Sequence, residues 1–236
     1  MISSTMRRAL AAALIGLMLL CLPLFSAQLA ARPAPAKALP TSLSPAGGHV
    51  LGNPQARIVV VEYMSYTCPH CAAFEAESAA PLRAGFIAKG AVSFEVRHFL
   101  RDPVDLAAAL IANCAPPERF FALHQALLHA QPGWFPIMSN ASAEQHKRWE
   151  EGDTGARMRA IASDMHLYEL AARAGVSHES ADRCLADEAL MHRITAQTIE
   201  ADKIGVTGTP SFTVNGLLLA GTHSWDLLAP QLQARM

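Results

Sequence analysis

Apolar and polar positions change rhythm several times along the chain, and each change predicts an element or a boundary. Residues 57–63 (RIVVVEY) form a short β-branched run behind the turn signal Gly52-Asn53-Pro54, which predicts a buried strand. Residues 70–88 carry helical spacing, with a bend expected at Pro81 and a stop at Lys89-Gly90. Residues 91–99 (AVSFEVRHF) alternate and predict a second strand. From Val104 to Ile204 the spacing is helical. PPERFFALHQALLHA opens with prolines and places Phe120, Phe121, Leu123, Leu127 and Leu128 on one broad face. The stretches 155–174 and 178–203 predict further helices, with Gly175 and Ser177 as stop and cap between them, and QPGWFPIMSN reads as a loop. SFTVNGLLLAG then gives two short apolar runs around Asn215-Gly216, a hairpin signal, and a last helix is expected over 224–235.

With the helical block removed, the order is strand, helix, strand, hairpin, helix. That is α/β, with a thioredoxin-like order interrupted by a large all-helical insertion. The expected boundaries are 49–102 for the first part of the α/β domain, 103–203 for the insertion and 204–236 for the second part. Residues 37–48 read as a Pro/Gly-rich linker.

The first 36 residues stand apart in composition. Arg7 and Arg8 precede an apolar run from Ala9 to Phe25, small residues follow, and no acidic residue occurs before Glu62. This is the plan of a secretory signal, or of an uncleaved anchor if no peptidase cuts it. Either form exports the remainder, to the periplasm in a bacterial cell. The chain has 236 residues and a formal net charge of −1, with no long run of like charge, so no nucleic-acid footprint is expected. Cys21 falls inside the leader. Cys68, Cys71, Cys114 and Cys184 remain, an even count that suggests pairing in an oxidising compartment.

Cys68 and Cys71 belong to CPHC, at the junction between the first strand and its helix. Pro69 disfavours helical geometry for the residue before it and suits the first helical position, which puts Cys68 at the N-cap. A sulfur there faces unpaired backbone N–H groups and the positive end of the helix dipole, so its thiolate is stabilised. His70 can add charge or a hydrogen bond, and Cys71, deeper in the helix, suits a resolving thiol. Zinc wants four ligands, and neither Cys114 nor Cys184 has a partner cysteine two residues away, so no metal is expected. A purely structural bridge across two residues would constrain almost nothing. Redox chemistry remains as the reading.

The segment VEYMSYTCPHCAAFE resembles the active-site region of the DsbA family of exported thiol oxidases, and GVTGTPSFTVNG resembles the family's cis-proline loop and hairpin. The resemblance spans about 49–234 and includes the helical insertion. It implies that Cys68 is the nucleophile and Cys71 its disulfide partner. Pro69 and His70 would tune the potential, and Thr209 and Pro210 would lie beside Cys68 and pair with an extended substrate. Glu62, six residues before Cys68, would be a buried carboxylate relaying a proton to or from Cys71; the alternative is a strand-edge glutamate in solvent. CLADEAL at 184–190 resembles an alpha-proteobacterial branch, in which a second disulfide occurs within the helical region. Cys114 and Cys184 are the candidates, and bridging them would contribute about 4 kcal/mol in the chain-entropy model; the alternative is two separate buried thiols.

The resemblance further implies a monomer with no bound cofactor, acting on folding exported polypeptides that carry free cysteines, and a membrane quinone-linked protein that reoxidises it. Isomerase, reductase, peptide-binding chaperone and glutathione-linked transferase are the competing functions on this architecture. His124 and His129 lie five apart, the wrong spacing for shared metal ligation, and Trp134 and Trp149 read as core or domain-interface residues.

Overall fold

The structure, a computed structural model, describes residues 38–236; the expected leader and Cys21 lie outside the described residues. A six-stranded sheet carries β1 (Thr41–Leu43), β2 (His49–Leu51), β3 (Ile58–Met64), β4 (Val92–His98), β5 (Ser211–Val214) and β6 (Leu217–Leu218), in the spatial order β1-β2-β4-β3-β5-β6. β3 and β4 run parallel, from Ile58 opposite Val92 to Met64 opposite His98, and the other neighbours are antiparallel. β1 lies within the segment read as linker. Its three residues carry too little pattern to announce a strand, yet they pair with β2 through a turn closed by the Gly47 N–H on the Ser44 carbonyl at 2.9 Å.

Between β3 and β4 runs α1 (Pro69–Leu82), followed by a π-helical turn over Arg83–Ile87. Pro81, which has no N–H to give the carbonyl one turn back, precedes this widened turn. Between β4 and β5 come α2 (Pro103–Asn113), α3 (Pro117–Ser139), α4 (Ala143–Glu150), α5 (Thr154–Asp164), α6 (Leu167–Arg173), α7 (His178–Leu185) and α8 (Glu188–Lys203); α9 (Trp225–Gln233) follows β6. Asn215 and Gly216, both at positive φ (51° and 81°), turn the β5–β6 hairpin as its sequence requires.

Three helical expectations need correction. QPGWFPIMSN is not a loop: α3 continues through Pro132 and Pro136 to Ser139. Packing overrides the two prolines there, since Gln131 and Trp134 are buried. The stretch 155–174 is two helices, broken where His166 takes a left-handed conformation (φ 57°), which histidine adopts more readily than most residues. The stretch 178–203 is also two, because the Asp187 carboxylate accepts the Leu190 N–H at 2.9 Å and starts a new helix.

The sheet's alternation sets the site. Ile58, Val60 and Met64 on β3 face the main core, whereas Val61 and Tyr63 face a second cluster with Ala201 of α8 and Val206. Glu62 shares the face of Val60 and Met64 by the two-residue period of a strand. Phe74 of α1 packs against Phe212 (ring centroids 4.7 Å apart) and Phe94 (6.4 Å), seating α1 on that face. Each such buried aromatic contributes roughly 1.5–3 kcal/mol. The same core continues without a break into α2, α3, α5 and α6 through Leu110, Ile111, Leu123, Leu127, Met158 and Leu167.

Candidate active site at the start of α1

β3 delivers the chain to a tight turn, Ser65–Thr67, and Cys68 follows in extended geometry (φ −94°, ψ 116°) as the N-cap of α1, with Pro69 the first helical residue. The N-terminal end of α1 therefore opens onto the Cys68 sulfur. Cys68 Sγ lies 3.2 Å from the Thr209 carbonyl oxygen, to which its thiol form donates. The Thr209–Pro210 peptide bond is cis, and His223 Nδ1 meets the Pro210 carbonyl at 2.7 Å. Cys68, His70, Phe99, Arg101 and Thr209 border an open hollow of about 300 Å³. Pro69 and His70 are exposed, His70 at the rim of this hollow, whereas Cys71 is fully buried.

The two thiols are driven in opposite directions. A hydrogen bond from the Cys71 thiol, with others from the Thr209 side chain and the N–H groups of Cys71 and His70, brings Cys68 down to about 4 against the opposing effect of burial. Burial, the hydrogen bond with Cys68 and the negative potential of Glu62 push Cys71 well above the ordinary thiol range. Glu62, only 2% exposed, is itself pushed well up by burial and by the proximity of Glu75 and Cys68. The solvent-facing alternative for Glu62 therefore falls, since its carboxyl is buried where burial favours the proton-bearing form. Glu75, one turn beyond Cys71, is raised by burial to about 7 despite Arg83 and the amide of Gln125, which donates to it at 3.0 Å.

Beneath the motif lies an uncharged polar layer. Tyr66 Oη meets His124 Nδ1 at 3.0 Å, and burial holds His124 and His98 at about 3 and His49 at about 4, so all three are neutral near pH 7. Asn113 links His98 (2.9 Å) to His49 (3.0 Å), and His49 stacks on Phe120 at 3.5 Å. Two side chains of the helical block, with Asp102 that caps its first helix, grip the turn before Cys68. Asp105 accepts the Tyr66 N–H at 2.7 Å, Asp102 accepts from Thr67 Oγ1 at 2.6 Å, and Gln131 Nε2 donates to the carbonyls of Tyr66 (2.6 Å) and Cys68 (3.0 Å). Burial raises Asp105 to about 7.

The structure thus gathers Glu62, Cys68, Pro69, His70, Cys71, Thr209 and Pro210 at one place. Cys114 and Cys184 lie elsewhere and are joined in a disulfide, Cα atoms 5.8 Å apart, between the end of α2 and the last turn of α7. Trp134 and Trp149 are buried. No group of three or more metal-ligating side chains occurs among the described residues. Sequence reasoning missed Glu75, Asp102, Asp105 and Gln131. Glu75 was findable one turn beyond Cys71 on the same helix, and Asp102-Pro103 is a readable helix start. Gln131 gave no signal, because its segment read as loop.

Comparison with known proteins agrees with this geometry. A thioredoxin family model matches residues 44–234. A protein-disulfide isomerase from Novosphingobium aromaticivorans is 48% identical in sequence and superposes with a TM-score of 0.76, over 80% of this chain and 97% of that one. Wolbachia pipientis alpha-DsbA1, 22% identical, shares the fold (TM-score 0.64, 81% and 92% of the two chains). A Rickettsia bellii protein, whose name assigns it provisionally to the protein-disulfide oxidoreductases, is 31% identical over 172 residues; the match covers 71% of this chain but only 57% of the Rickettsia protein. The chain belongs to the thioredoxin family, in its DsbA-like form with a helical block set between β4 and β5. Among the described residues no helix is long and apolar enough to cross a membrane.

Proposed function

We propose that the protein is an exported thiol:disulfide oxidoreductase that acts as a DsbA-like oxidase, donating a Cys68–Cys71 disulfide to folding polypeptides. The observation that carries this reading is the placing of two free cysteines in one helical turn, Cys68 at the N-cap of α1 with its Sγ 3.2 Å from the Thr209 carbonyl and Cys71 fully buried behind it. A substrate thiolate attacks Cys68 Sγ, the Cys68–Cys71 bond breaks, and Cys71 leaves with the sulfur's electron pair. Glu62, a buried carboxyl that burial biases toward holding a proton, supplies the proton that Cys71 takes up. A second substrate thiolate then attacks the substrate sulfur of the mixed disulfide, and Cys68 leaves as its stabilised thiolate. The substrate gains a disulfide and the enzyme two electrons. The Thr209 backbone, whose carbonyl lies against Cys68 Sγ, pairs with an extended substrate segment. Pro69 sets the N-cap geometry and His70 lines the approach.

In this reading residues 1–36 direct export to the periplasm, and residues 49–102 and 204–236 carry the redox site. The monomer returns its electrons to a membrane quinone-linked protein. Equilibration of the purified protein against glutathione tests the assignment. A potential near about −120 mV supports an oxidase, and one near about −270 mV replaces it with a reductase. The Novosphingobium relative favours isomerisation as the second reading. Faster recovery of a scrambled substrate than of a reduced one would favour it over oxidation.

A further inference from the structure

The helical block hydrogen-bonds to the cysteine motif through a residue that carries no charge. Gln131, on α3, is 3% exposed, and its two amide hydrogens meet two carbonyls, those of Tyr66 at 2.6 Å and Cys68 at 3.0 Å. The Cys68 carbonyl is the first acceptor of α1. It already takes the N–H groups of Cys71 (3.1 Å) and Ala72 (3.3 Å), so the Gln131 amide is a third donor upon it. Tyr66 is held from both sides, its N–H by Asp105 and its carbonyl by Gln131.

Gln131 thus holds the Tyr66–Thr67 and Cys68–Pro69 peptide planes, and the Cys68 N–H on the Ser65 carbonyl (3.3 Å) holds the plane between them, so the direction in which the Cys68 Cα–Cβ bond leaves the backbone is set. That direction decides whether the sulfur meets the N–H groups of His70 and Cys71 or swings away from them. The amide also turns the positive end of its dipole toward the N-cap residue. No water can take its place without room, and Gln131 is packed in the core of the helical block.

We propose that Gln131 is a positioning residue that holds Cys68 Sγ in register with the N-terminus of α1 and so tunes the thiol–disulfide balance of the pair. The inference rests on the thiol–disulfide function proposed above. The helical block is then part of the redox apparatus, not a cover laid over it.

The test is Gln131→Met, which keeps the length of the side chain and removes both donors. Cys68 ionisation is followed by thiolate absorbance, and the dithiol–disulfide equilibrium against glutathione. The Cys68 midpoint is expected to rise by about one unit or more, about a tenfold loss of thiolate stabilisation, with the equilibrium moving toward the disulfide. Gln197→Met is the comparator: Gln197 is buried equally and accepts the His98 N–H at 2.8 Å, away from the motif. It is expected to lower the melting temperature and leave the Cys68 midpoint in place. If Gln131→Met melts earlier but keeps the wild-type midpoint and equilibrium, the residue only packs and the inference falls. Should Gln131→Met not fold, Gln131→Glu serves instead. Its carboxylate faces the same two carbonyls and is expected to raise the midpoint; an unchanged midpoint overturns the inference. A wild-type Cys68 that titrates as an ordinary thiol overturns the function itself, a result distinct from any failure of the variants.

Discussion

Cys68–Cys71 and Cys114–Cys184 are two cysteine pairs in one chain, and helix polarity separates them. Cys68 caps the N-terminus of α1, where free N–H groups and the positive dipole end stabilise a departing thiolate. Cys114 caps the C-terminus of α2, and Cys184 lies in the last turn of α7. There a thiolate would face carbonyl oxygens and the negative end of the dipole, which disfavours reduction. Sequence separation reinforces the contrast. The first pair spans a single helical turn and restrains the unfolded chain little, whereas the second closes a separation of 70 residues. In the function proposed above, the same chemical group thus serves exchange at one helix end and anchorage at the other.

The strongest way to break this comparison is to remove one sulfur from each pair. Cys68→Ser is expected to lower disulfide transfer to a reduced substrate by about a thousandfold or more, as loss of the reacting sulfur does. Transfer that persists would place the chemistry elsewhere. Cys114→Ala combined with Cys184→Ala is expected to do the reverse, lowering stability by about 4 kcal/mol in denaturant titrations and leaving the Cys68 midpoint unchanged. A shift in that midpoint would show that the two pairs are coupled.

Titration sharpens the contrast between the surface and interior of the motif. Glu75 has a folded value of about 7 against about 4.5 unfolded, so the folded state binds the extra proton. Its contribution to stability is present at low pH and lost as pH rises from about 4.5 through 7. Glu75→Gln is expected to remove that loss, stabilising the protein by about 3 kcal/mol at pH 8 relative to pH 4, as denaturant titrations at the two values will read. The buried histidines act with the opposite sign. His49, His98 and His124 stay neutral when folded but bind protons below about 6.5 when unfolded, so stability is lost as pH falls from there toward 4. His98→Gln is expected to reduce the acid slope by one proton, about 1.4 kcal/mol per pH unit.

Much of the α/β framework was legible because its signals are local. RIVVVEY can satisfy its apolar run only as a strand, Pro69 dictates the geometry of Cys68, and Asn215-Gly216 admits the tight turn that Leu217 and Leu218 complete. The helical block was legible as helical but not in its parts. Pro132 and Pro136 argue locally for a loop, and only the burial of Gln131 and Trp134 against distant residues keeps α3 intact. The cost was functional, since the misread segment begins with the residue that donates to the Cys68 carbonyl. His49, His98 and His124 were equally opaque. Their spacing of 49 and 26 residues carries no pattern, and the layer they form exists only after β2, β4 and α3 have packed.

The Cys114–Cys184 bond also makes a covalent ring that lies wholly between β4 and β5. A protease that cuts within it, for example at the exposed Gly152, opens the ring without freeing a fragment, because the two arms stay joined through sulfur. The nicked protein would weigh one water more than the intact one and run as a single species on a gel until a reductant parted it into two.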